Sequence, residues 1–241
     1  MKLKSATGFF VRPYRPSDRE RVRQIAVATA FPGALPGRSL PDRELTADLL
    51  TGYYTDLEPS SALVAESDGE VIGYLLGALS TASYEQGMRR LFLRRILPGL
   101  LLGKYRPDGA GARLAAVALG GLLRDARPPD LDKLYPAHLH INVDRSRRSG
   151  GAGSLLMGAW MRRLAEEAVP GVHLSTNSAQ PGAIRFFARH GFRSVFRSRS
   201  TLWSYLTGKT VFREIMGKRL SKPRIARLPA GRQGLHGFRK I

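Results

Sequence analysis

The sequence predicts an α/β (α+β) fold, with a mixed, largely antiparallel sheet that carries helices on both faces. Three observations support this prediction. Two apolar runs flank an Asp-Gly turn, apolar and polar residues alternate over residues 137–143, and apolar residues recur at helical spacing over residues 153–168. The 241 residues, of which 43% are hydrophobic, are enough to build one domain around a real core.

The elements of this fold follow one another along the chain. Ser17 and Glu20 have the spacing of a capping box at the start of a first helix. Asp68-Gly69 is typical of a hairpin turn, and Gly191 is placed to end a helix. The predicted strands cover residues 9–12, 62–66, 71–79, 137–143, 172–176, 192–198 and 202–216, and the predicted helices cover residues 17–29, 41–53, 153–168 and 180–190.

A helical insert is predicted over about residues 83–135, between the third and fourth predicted strands. Residues 88–102 mix leucine with arginine and contain Pro98, which should break or kink a helix. Three interpretations of this stretch stay open. It forms a lid over a ligand site, it lies on an anionic membrane surface, or it forms ordinary core helices whose arginines face solvent.

The charge of the chain indicates an anionic partner. The formal net charge is +20, and the pI is about 11.2. Residues 217–241 carry eight lysines and arginines and no acid, which predicts a basic, disordered tail after a domain over residues 1–216. No RNA- or DNA-reading motif accompanies the charge, so a nucleic-acid-associated protein is kept only as an alternative.

Composition also excludes several kinds of chemistry. The sequence has no cysteine, which rules out disulfides and thiolate nucleophiles and fits a cytoplasmic location. The histidines lack the spacing of a zinc site, so no metal is expected. No secretory signal is expected at the start of the chain, and no apolar run is long enough to predict a membrane span.

The loop between a predicted strand and a predicted helix carries the strongest chemical signal. It reads Arg147-Arg148-Ser149-Gly150-Gly151-Ala152-Gly153. Glycines let backbone amides approach a ligand, and a helix N-terminus offers unpaired donors at the positive end of its dipole. With the two arginines, these features predict a pyrophosphate site. An ordinary flexible turn is the alternative.

Two motifs make this sequence similar to the GNAT superfamily of N-acetyltransferases. The first is Arg148-x-x-Gly151-x-Gly153, which matches the Arg/Gln-x-x-Gly-x-Gly/Ala motif of that family. The second spans residues 177–192 and resembles Asn-x-x-Ala-x-x-Phe-Tyr-x-x-x-Gly-Phe with a longer start. The resemblance covers residues 9–216 and is weakest across the insert. Residues 135–141 and 171–174 most resemble the acetyltransferase-like module associated with O-GlcNAc hydrolases and its free-standing microbial relatives.

The resemblance implies acetyl-CoA as co-substrate and an amine as acceptor. In the family, the strand before the glycine loop separates from the next strand, and the cofactor enters the gap. The implied cofactor-binding residues are Ile141, Asn142 and Val143 for the pantetheine arm, Arg147, Arg148, Ser149, Gly150, Gly151, Ala152, Gly153 and Ser154 for the pyrophosphate, and Asn177. For Asn177, an ordinary polar strand end is the alternative.

The family's general acid is where this sequence departs from the pattern. Relatives commonly place a tyrosine at the position of Phe187, where its hydroxyl protonates the departing thiolate, but phenylalanine has no proton to give. Three alternatives remain. Water serves as the acid, another group serves, or the protein is a non-catalytic acyl-CoA-binding module.

A histidine suits the role of general base because its ordinary pKa lies near neutrality. His140 is the first candidate, since it lies on the polar face of the strand before the glycine loop. His138 and His173 lie nearby, and Glu66 is a weaker candidate. A histidine on a strand is also commonly a structural, hydrogen-bonded residue. The sequence predicts neither the acceptor nor the oligomeric state.

Overall fold

The computed structural model describes residues 3–4, 8–35, 42–106, 109–126, 128, 131–148 and 150–220. The described strands are β1 (Leu3–Lys4), β2 (Phe9–Pro13), β3 (Ala62–Ser67), β4 (Glu70–Ala78), β5 (Ala137–Val143), β6 (Gly171–Asn177), β7 (Arg193–Arg199) and β8 (Phe212–Arg219). They form one sheet in the order β1-β2-β3-β4-β5-β6-β8-β7. Every neighbouring pair is antiparallel except β5 with β6, which is parallel. The predicted mixed, largely antiparallel sheet is confirmed.

Helices lie on both faces of this sheet. They are α1 (Arg19–Thr29), α2 (Arg43–Gly52), α3 (Thr81–Leu91), α4 (Leu97–Leu101), α5 (Gly109–Arg124), α6 (Leu131–Leu134), α7 (Ala152–Glu166), α8 (Pro181–Arg189) and α9 (Thr201–Thr207). A π-helical turn, Tyr53–Leu57, follows α2, and another, Phe92–Ile96, joins α3 to α4. Among the described helices, none is long and apolar enough to cross a lipid bilayer.

The two faces of the sheet are packed differently. On one face, α7 and α8 bury an apolar cluster around Leu156, Trp160 and Phe187. On the other, α1 and the turn after α2 pack a cluster rich in tyrosine, including Tyr54 and Tyr74. Burial of these apolar side chains is the main force that holds the helices against the sheet.

The predicted hairpin is present, and the predicted capping box is not. Asp68 and Gly69 both have positive φ values, 51° and 79°, as the tight turn of a β3–β4 hairpin requires. The capping box at Ser17 and Glu20 is wrong. The carboxylate of Asp18 instead accepts the backbone N–H of Arg15 at 2.7 Å, and a short 3₁₀ turn precedes α1.

The insert is helical, and it lies between the fourth and fifth strands because β1 precedes the strand predicted as the first. Pro98 does not end the helical path. It stands in the first turn of α4, where a missing N–H removes no intrahelical bond, directly after the π-helical turn. Leu91 and Ile96 are buried but Leu101 and Leu102 are exposed, so this stretch is only partly a set of core helices.

The last predicted strand region, residues 202–216, is wrong in its first half. Ser200 accepts the backbone N–H of Trp203 and so caps α9, whose Leu206 is buried. At its other end, β8 continues three residues beyond the expected domain boundary at residue 216, because residues 217–219 still pair with β6. The rest of the expected tail, residues 221–241, lies outside the described residues.

Candidate functional site

The parallel strands β5 and β6 separate along their length. Ala137 pairs with Val172 and His138 pairs with His173, and beyond these pairs neither strand has a partner in the other. A cleft of about 740 Å³ opens between them. Past the last pair, the backbone N–H and C=O groups on the edge of β5 that faces β6 have no partner in β6. They are available to a ligand that lies along this edge.

The residues of β5 that follow the separation point line the cleft. They remain paired with β4 on their other side, which holds this edge in place. The predicted pantetheine-binding residues found along the cleft are Ile141, Asn142 and Val143.

The N-terminus of α7 opens into the same cleft. Gly151 is the N-cap of this helix and has a φ of +92°, a left-handed conformation that glycine adopts without steric cost. No side chain among the described residues caps the helix, and its first-turn amides have no partner within the helix. Gly151, Ala152, Gly153 and Ser154 line the cleft, so these donors and the positive end of the dipole are presented to it.

The two arginines of the loop stand at the mouth of the cleft. Arg147 and Arg148 are exposed and line it, and the Arg148 Nε donates to the Val143 carbonyl at 3.3 Å. Gly150 is exposed and does not line the cleft, and Ser149 lies outside the described residues. Six of the eight residues predicted for the pyrophosphate, residues 147, 148 and 151–154, therefore line the cleft.

Asn177 ends β6 on the opposite wall. Its side chain is buried and lines the cleft, and its Oδ1 accepts the backbone N–H of Ala179 at 3.0 Å. This bond shapes the turn that leads into α8. The side chain therefore has a structural role in the turn as well as a position against the cleft.

His140 lies on the cleft wall within a small hydrogen-bonded network. The Asn142 Nδ2 donates to His140 Nε2 at 3.0 Å and to the Tyr74 hydroxyl at 2.9 Å. Desolvation by burial lowers the pKa of His140 to about 4, so its imidazole is neutral at neutral pH. Burial raises the pKa of Tyr74, which keeps that hydroxyl protonated.

His138 is held away from the cleft. Its Nε2 lies 2.8 Å from the Tyr54 hydroxyl, and its Nδ1 lies 3.1 Å from the Thr81 hydroxyl, whose proton is donated to the Pro136 carbonyl. His138 Nδ1 therefore carries the proton and Nε2 accepts from Tyr54. Desolvation, with His173 and His140 adding to it, lowers the pKa of His138 to about 3.

The other two candidates for the base are also engaged. His173 Nδ1 donates to the Tyr135 carbonyl at 2.8 Å, and burial lowers its pKa. Glu66 accepts the Arg12 Nε at 2.6 Å. Neither of them lines the cleft, and His140 is the histidine that does.

Phe187 has one side in the core and another at the cleft. Its ring packs against Phe186 and Phe192, with centroid distances of 5.3 and 6.0 Å, and the residue also lines the cleft. It belongs to the apolar cluster under α7 and α8. The position expected for an acidic hydroxyl is thus at the cleft but carries no proton donor.

The far end of the cleft is built from residues that the sequence did not single out. Thr29, Pro32, Leu50 and Trp203 line it, and they come from α1, the loop after it, α2 and α9. Apart from Thr29 these residues are apolar, a character that core residues share, so the sequence does not mark them as a site. Among the described residues that line the cleft there is no aspartate or glutamate, and no described cluster of His, Asp or Glu has the arrangement of a metal site.

Comparisons with known proteins agree with this geometry. The model of the Acetyltransferase (GNAT) family matches residues 27–192, which is more than half of the chain. The crystal structure of SsHAT is 27% identical, with a TM-score of 0.62, over 89% of this chain and 100% of that one.

Two further solved structures share the fold at lower identity. The Salmonella typhimurium protein yncA, solved with its cofactor acetyl-CoA, is 14% identical with a TM-score of 0.54, over 89% of this chain and 95% of that one. The polyamine N-acetyltransferase of Drosophila melanogaster is 14% identical with a TM-score of 0.58, over 88% of this chain and 100% of that one. The chain belongs to the GNAT family of acetyltransferases, whose co-substrate is acetyl-CoA.

Proposed function

We propose that this protein transfers the acetyl group of acetyl-CoA to an amine, with the cofactor lying between β5 and β6. One observation carries the proposal: the separated parallel strands lead to the uncapped N-terminus of α7, beside Arg147 and Arg148. Such a helix end binds a pyrophosphate through amide donors and its dipole. The free edge of β5 pairs with the extended arm of the same molecule.

Transfer needs a neutral amine near the thioester. The amine nitrogen attacks the carbonyl carbon, the C–N bond forms, the C–S bond breaks, the ammonium loses a proton and the thiolate gains one. Holding both reactants in one cleft supplies much of the rate. His140 is our candidate for receiving the proton, and its low pKa favours passing it on through water rather than retaining it.

Phe187 supports the alternative of a non-catalytic acyl-CoA-binding module. Its ring lines the cleft where relatives place a tyrosine, so the protein itself offers no hydroxyl there. In the catalytic proposal, water protonates the departing thiolate. A CoA-release assay with a broad amine panel separates the two, since a binding module raises its melting temperature with acetyl-CoA but releases no CoA.

We further propose that the acceptor is a monoamine with an apolar or aromatic body. Pro32, Leu50 and Trp203 form the far end of the cleft, and the Trp203 ring lies 6.3 Å from that of Phe31. A polycation would need carboxylates to offset its desolvation, and none is among the described residues that line the cleft. The acceptor proposed for this protein therefore differs from the polyamines named for the Drosophila enzyme.

The acceptor is tested by comparing aromatic monoamines, such as 2-phenylethylamine, with spermidine and agmatine. We expect turnover with the first group and at least tenfold lower kcat/KM with the second. Trp203→Ala should raise the KM for aromatic amines by roughly tenfold, because an aromatic contact is lost. Leu202→Ala is the control, since Leu202 lies on the same helix but does not line the cleft. A preference for polyamines would contradict the acceptor class and leave acetyl transfer standing.

Three finer assignments remain part of the proposal. A cytoplasmic location is supported by the absence of cysteine from the sequence. The similarity to the module associated with O-GlcNAc hydrolases rests on residues 135–141 and 171–174 alone. The basic charge supports nucleic-acid association only as an alternative, and binding to RNA that falls steeply with salt would favour it.

A further inference from the structure

The outer side of the insert exposes an unusual number of large apolar side chains. Leu93, Leu101 and Leu102 are 62%, 78% and 85% exposed, and Phe92 and Leu97 are also exposed. Leu93, Leu97 and Leu101 recur at four-residue spacing along the helical path from α3 to α4, which places them on one side of it. We call the exposed residues between positions 89 and 102 the insert surface. Its members are Arg89, Arg90, Phe92, Leu93, Arg94, Leu97, Leu101 and Leu102.

This exposure does not arise from a loosely held segment. Leu91 and Ile96 are buried on the opposite side, and the Arg95 Nη2 lies 2.9 Å from Asp48. The Tyr105 hydroxyl, just after α4, donates to the same carboxylate at 2.5 Å. The segment is therefore fixed from beneath at both ends, and its leucines are held outward.

The arginines of the insert surface differ from the one beneath it. Arg95 turns inward and pairs with Asp48 and Asp56. Arg89, Arg90 and Arg94 are exposed, and no acidic group within the described part of the chain pairs with them. Three unpaired positive charges therefore flank the exposed leucines.

Charge decides which occupant suits this surface. A second copy would bring two arginine-rich surfaces together, and the residues after β8, 220–241, carry six positive charges and no acid, so the insert surface would repel a second copy and this segment alike. An anionic bilayer attracts the arginines and accepts protruding leucines into its interfacial region. We propose that the insert surface binds anionic membranes, with Leu101 and Leu102 inserted and Arg89, Arg90 and Arg94 at the headgroups.

The test is co-sedimentation of the full chain with vesicles of phosphatidylcholine alone and of phosphatidylcholine with about a third phosphatidylglycerol. We expect binding to the anionic vesicles only. The double variant Leu101→Ser, Leu102→Ser should weaken that binding roughly tenfold or more, because two inserted side chains are lost. Leu134→Ser is the matched control, since Leu134 is an exposed leucine on α6, and it should bind as the unmodified chain does.

Charge is tested separately with Arg90→Ser, Arg94→Ser, which should weaken binding and reduce its dependence on salt. Both double variants alter exposed residues, so their melting temperatures should match that of the unmodified chain. Unchanged binding of the leucine variant would overturn the proposal and assign the affinity to net charge alone. A concentration-dependent dimer that the leucine variant abolishes, without vesicle binding, would also overturn it in favour of a second copy.

Discussion

Two parts of the molecule differ in the interactions that hold them together. We call β5, β6, α7 and α8 the cofactor half, and the insert together with α1 and α2 the insert half. Around the cleft, β5, β6, α7 and α8 meet through one apolar cluster, and the binding groups are backbone amides. The insert also packs apolar side chains against the rest of the molecule, among them Tyr84 and Met88, but it is in addition joined to α1, α2 and the turn after α2 by charged side chains that converge on Asp48 and Asp56. The binding loop of the first half is built from residues close in sequence, whereas the ion pairs of the second join residues that are distant in sequence.

Asp48 is the centre of the second arrangement. Its carboxylate is fully buried, accepts hydrogen bonds from Arg23 and from the Tyr105 hydroxyl, the latter at 2.5 Å, and forms an ion pair with Arg95 at 2.9 Å. Burial alone raises its pKa, but the bonds from Tyr105 and Arg23 outweigh this and keep the pKa below its usual value. A buried charge with several partners is costly to lose, because Arg23 and Arg95 then keep only the more exposed carboxylates of Glu44 and Asp56.

The largest effect should follow from Asp48→Asn. We expect the free energy of unfolding to fall by about 3–5 kcal/mol, since Arg23 is also buried and would keep only the exposed Glu44 as its counter-charge. Urea denaturation at pH 7 measures this. Glu44→Gln is the control, because Glu44 pairs with the same Arg23 from a position that is 63% exposed, and it should cost less than about 1 kcal/mol. Similar losses for the two variants would show that the insert is not anchored through Asp48.

The second prediction tests the cofactor half with a pair of variants that differ only in charge. Gly151→Asp places a carboxylate where the pyrophosphate belongs, whereas Gly151→Asn has nearly the same shape and, like Asp, tolerates a positive φ better than most residues. At acetyl-CoA concentrations of about 100 times Kd, binding stabilises the unmodified protein by about 2.7 kcal/mol. We expect the Asp variant to lose most of this stabilisation and the Asn variant to retain the larger part.

Calorimetric titration of acetyl-CoA gives the same comparison directly. If the Asp and Asn variants bind equally well, the pyrophosphate does not lie at the N-terminus of α7. That result would move the cofactor but leave the fold and the anchoring of the insert unaffected.

The difference between the halves also decides what the sequence reveals. The segment over residues 147–153 runs directly into α7, so its glycines and arginines and the start of the helix are recognised together in the sequence. The partners of Asp48 are 25 and 57 residues away for Arg23 and Tyr105, and no local pattern joins them. The acceptor end has the same difficulty, because Pro32, Leu50 and Trp203 come from three separate segments.

Local chemistry sets a further limit on prediction. α9 was predicted as part of a strand because residues 202–216 are mostly apolar, and the helix depends on the Ser200 cap and on burial of Leu206. His138 and His140 are two residues apart on one strand, so the sequence places both on the same face. Only the structure shows that His140 lines the cleft and that His138 lies between Tyr54 and Thr81.

The third prediction concerns the histidines of the tyrosine-rich face. The pKa values of His138 and His140 are about 3 and 4, below the usual 6.5, because burial disfavours the charged form. The unfolded chain therefore binds more protons below pH 6.5. Stability is fully present above that pH and falls as the pH is lowered toward 4, by up to about 1.4 kcal/mol per pH unit for each histidine.

Unfolding free energies at pH 7.5, 6.5, 5.5 and 4.5 measure this slope. The carboxyl of Asp56 does not contribute in this range. Burial raises its pKa, but hydrogen bonds from Arg19, Thr55 and Arg95 outweigh that and bring it to about 2, so its contribution is lost only below about pH 4. His138→Gln should flatten the slope between pH 6.5 and 4.5. A slope unchanged in that variant would show that His138 is not buried in its neutral form.

The smallest effect is expected for Phe187→Tyr, which adds one hydroxyl at the border between core and cleft. Phe187 is 7% exposed and lines the cleft, whereas its neighbour Phe192 is 2% exposed and does not. A hydroxyl buried without a partner costs roughly 1–3 kcal/mol, so Phe192→Tyr should lose that much and Phe187→Tyr less than about 1 kcal/mol. If protonation of the thiolate limits turnover, the new hydroxyl should also raise kcat without changing the KM for acetyl-CoA. Equal destabilisation of the two variants would place the Phe187 ring in the core and remove this position from the reaction.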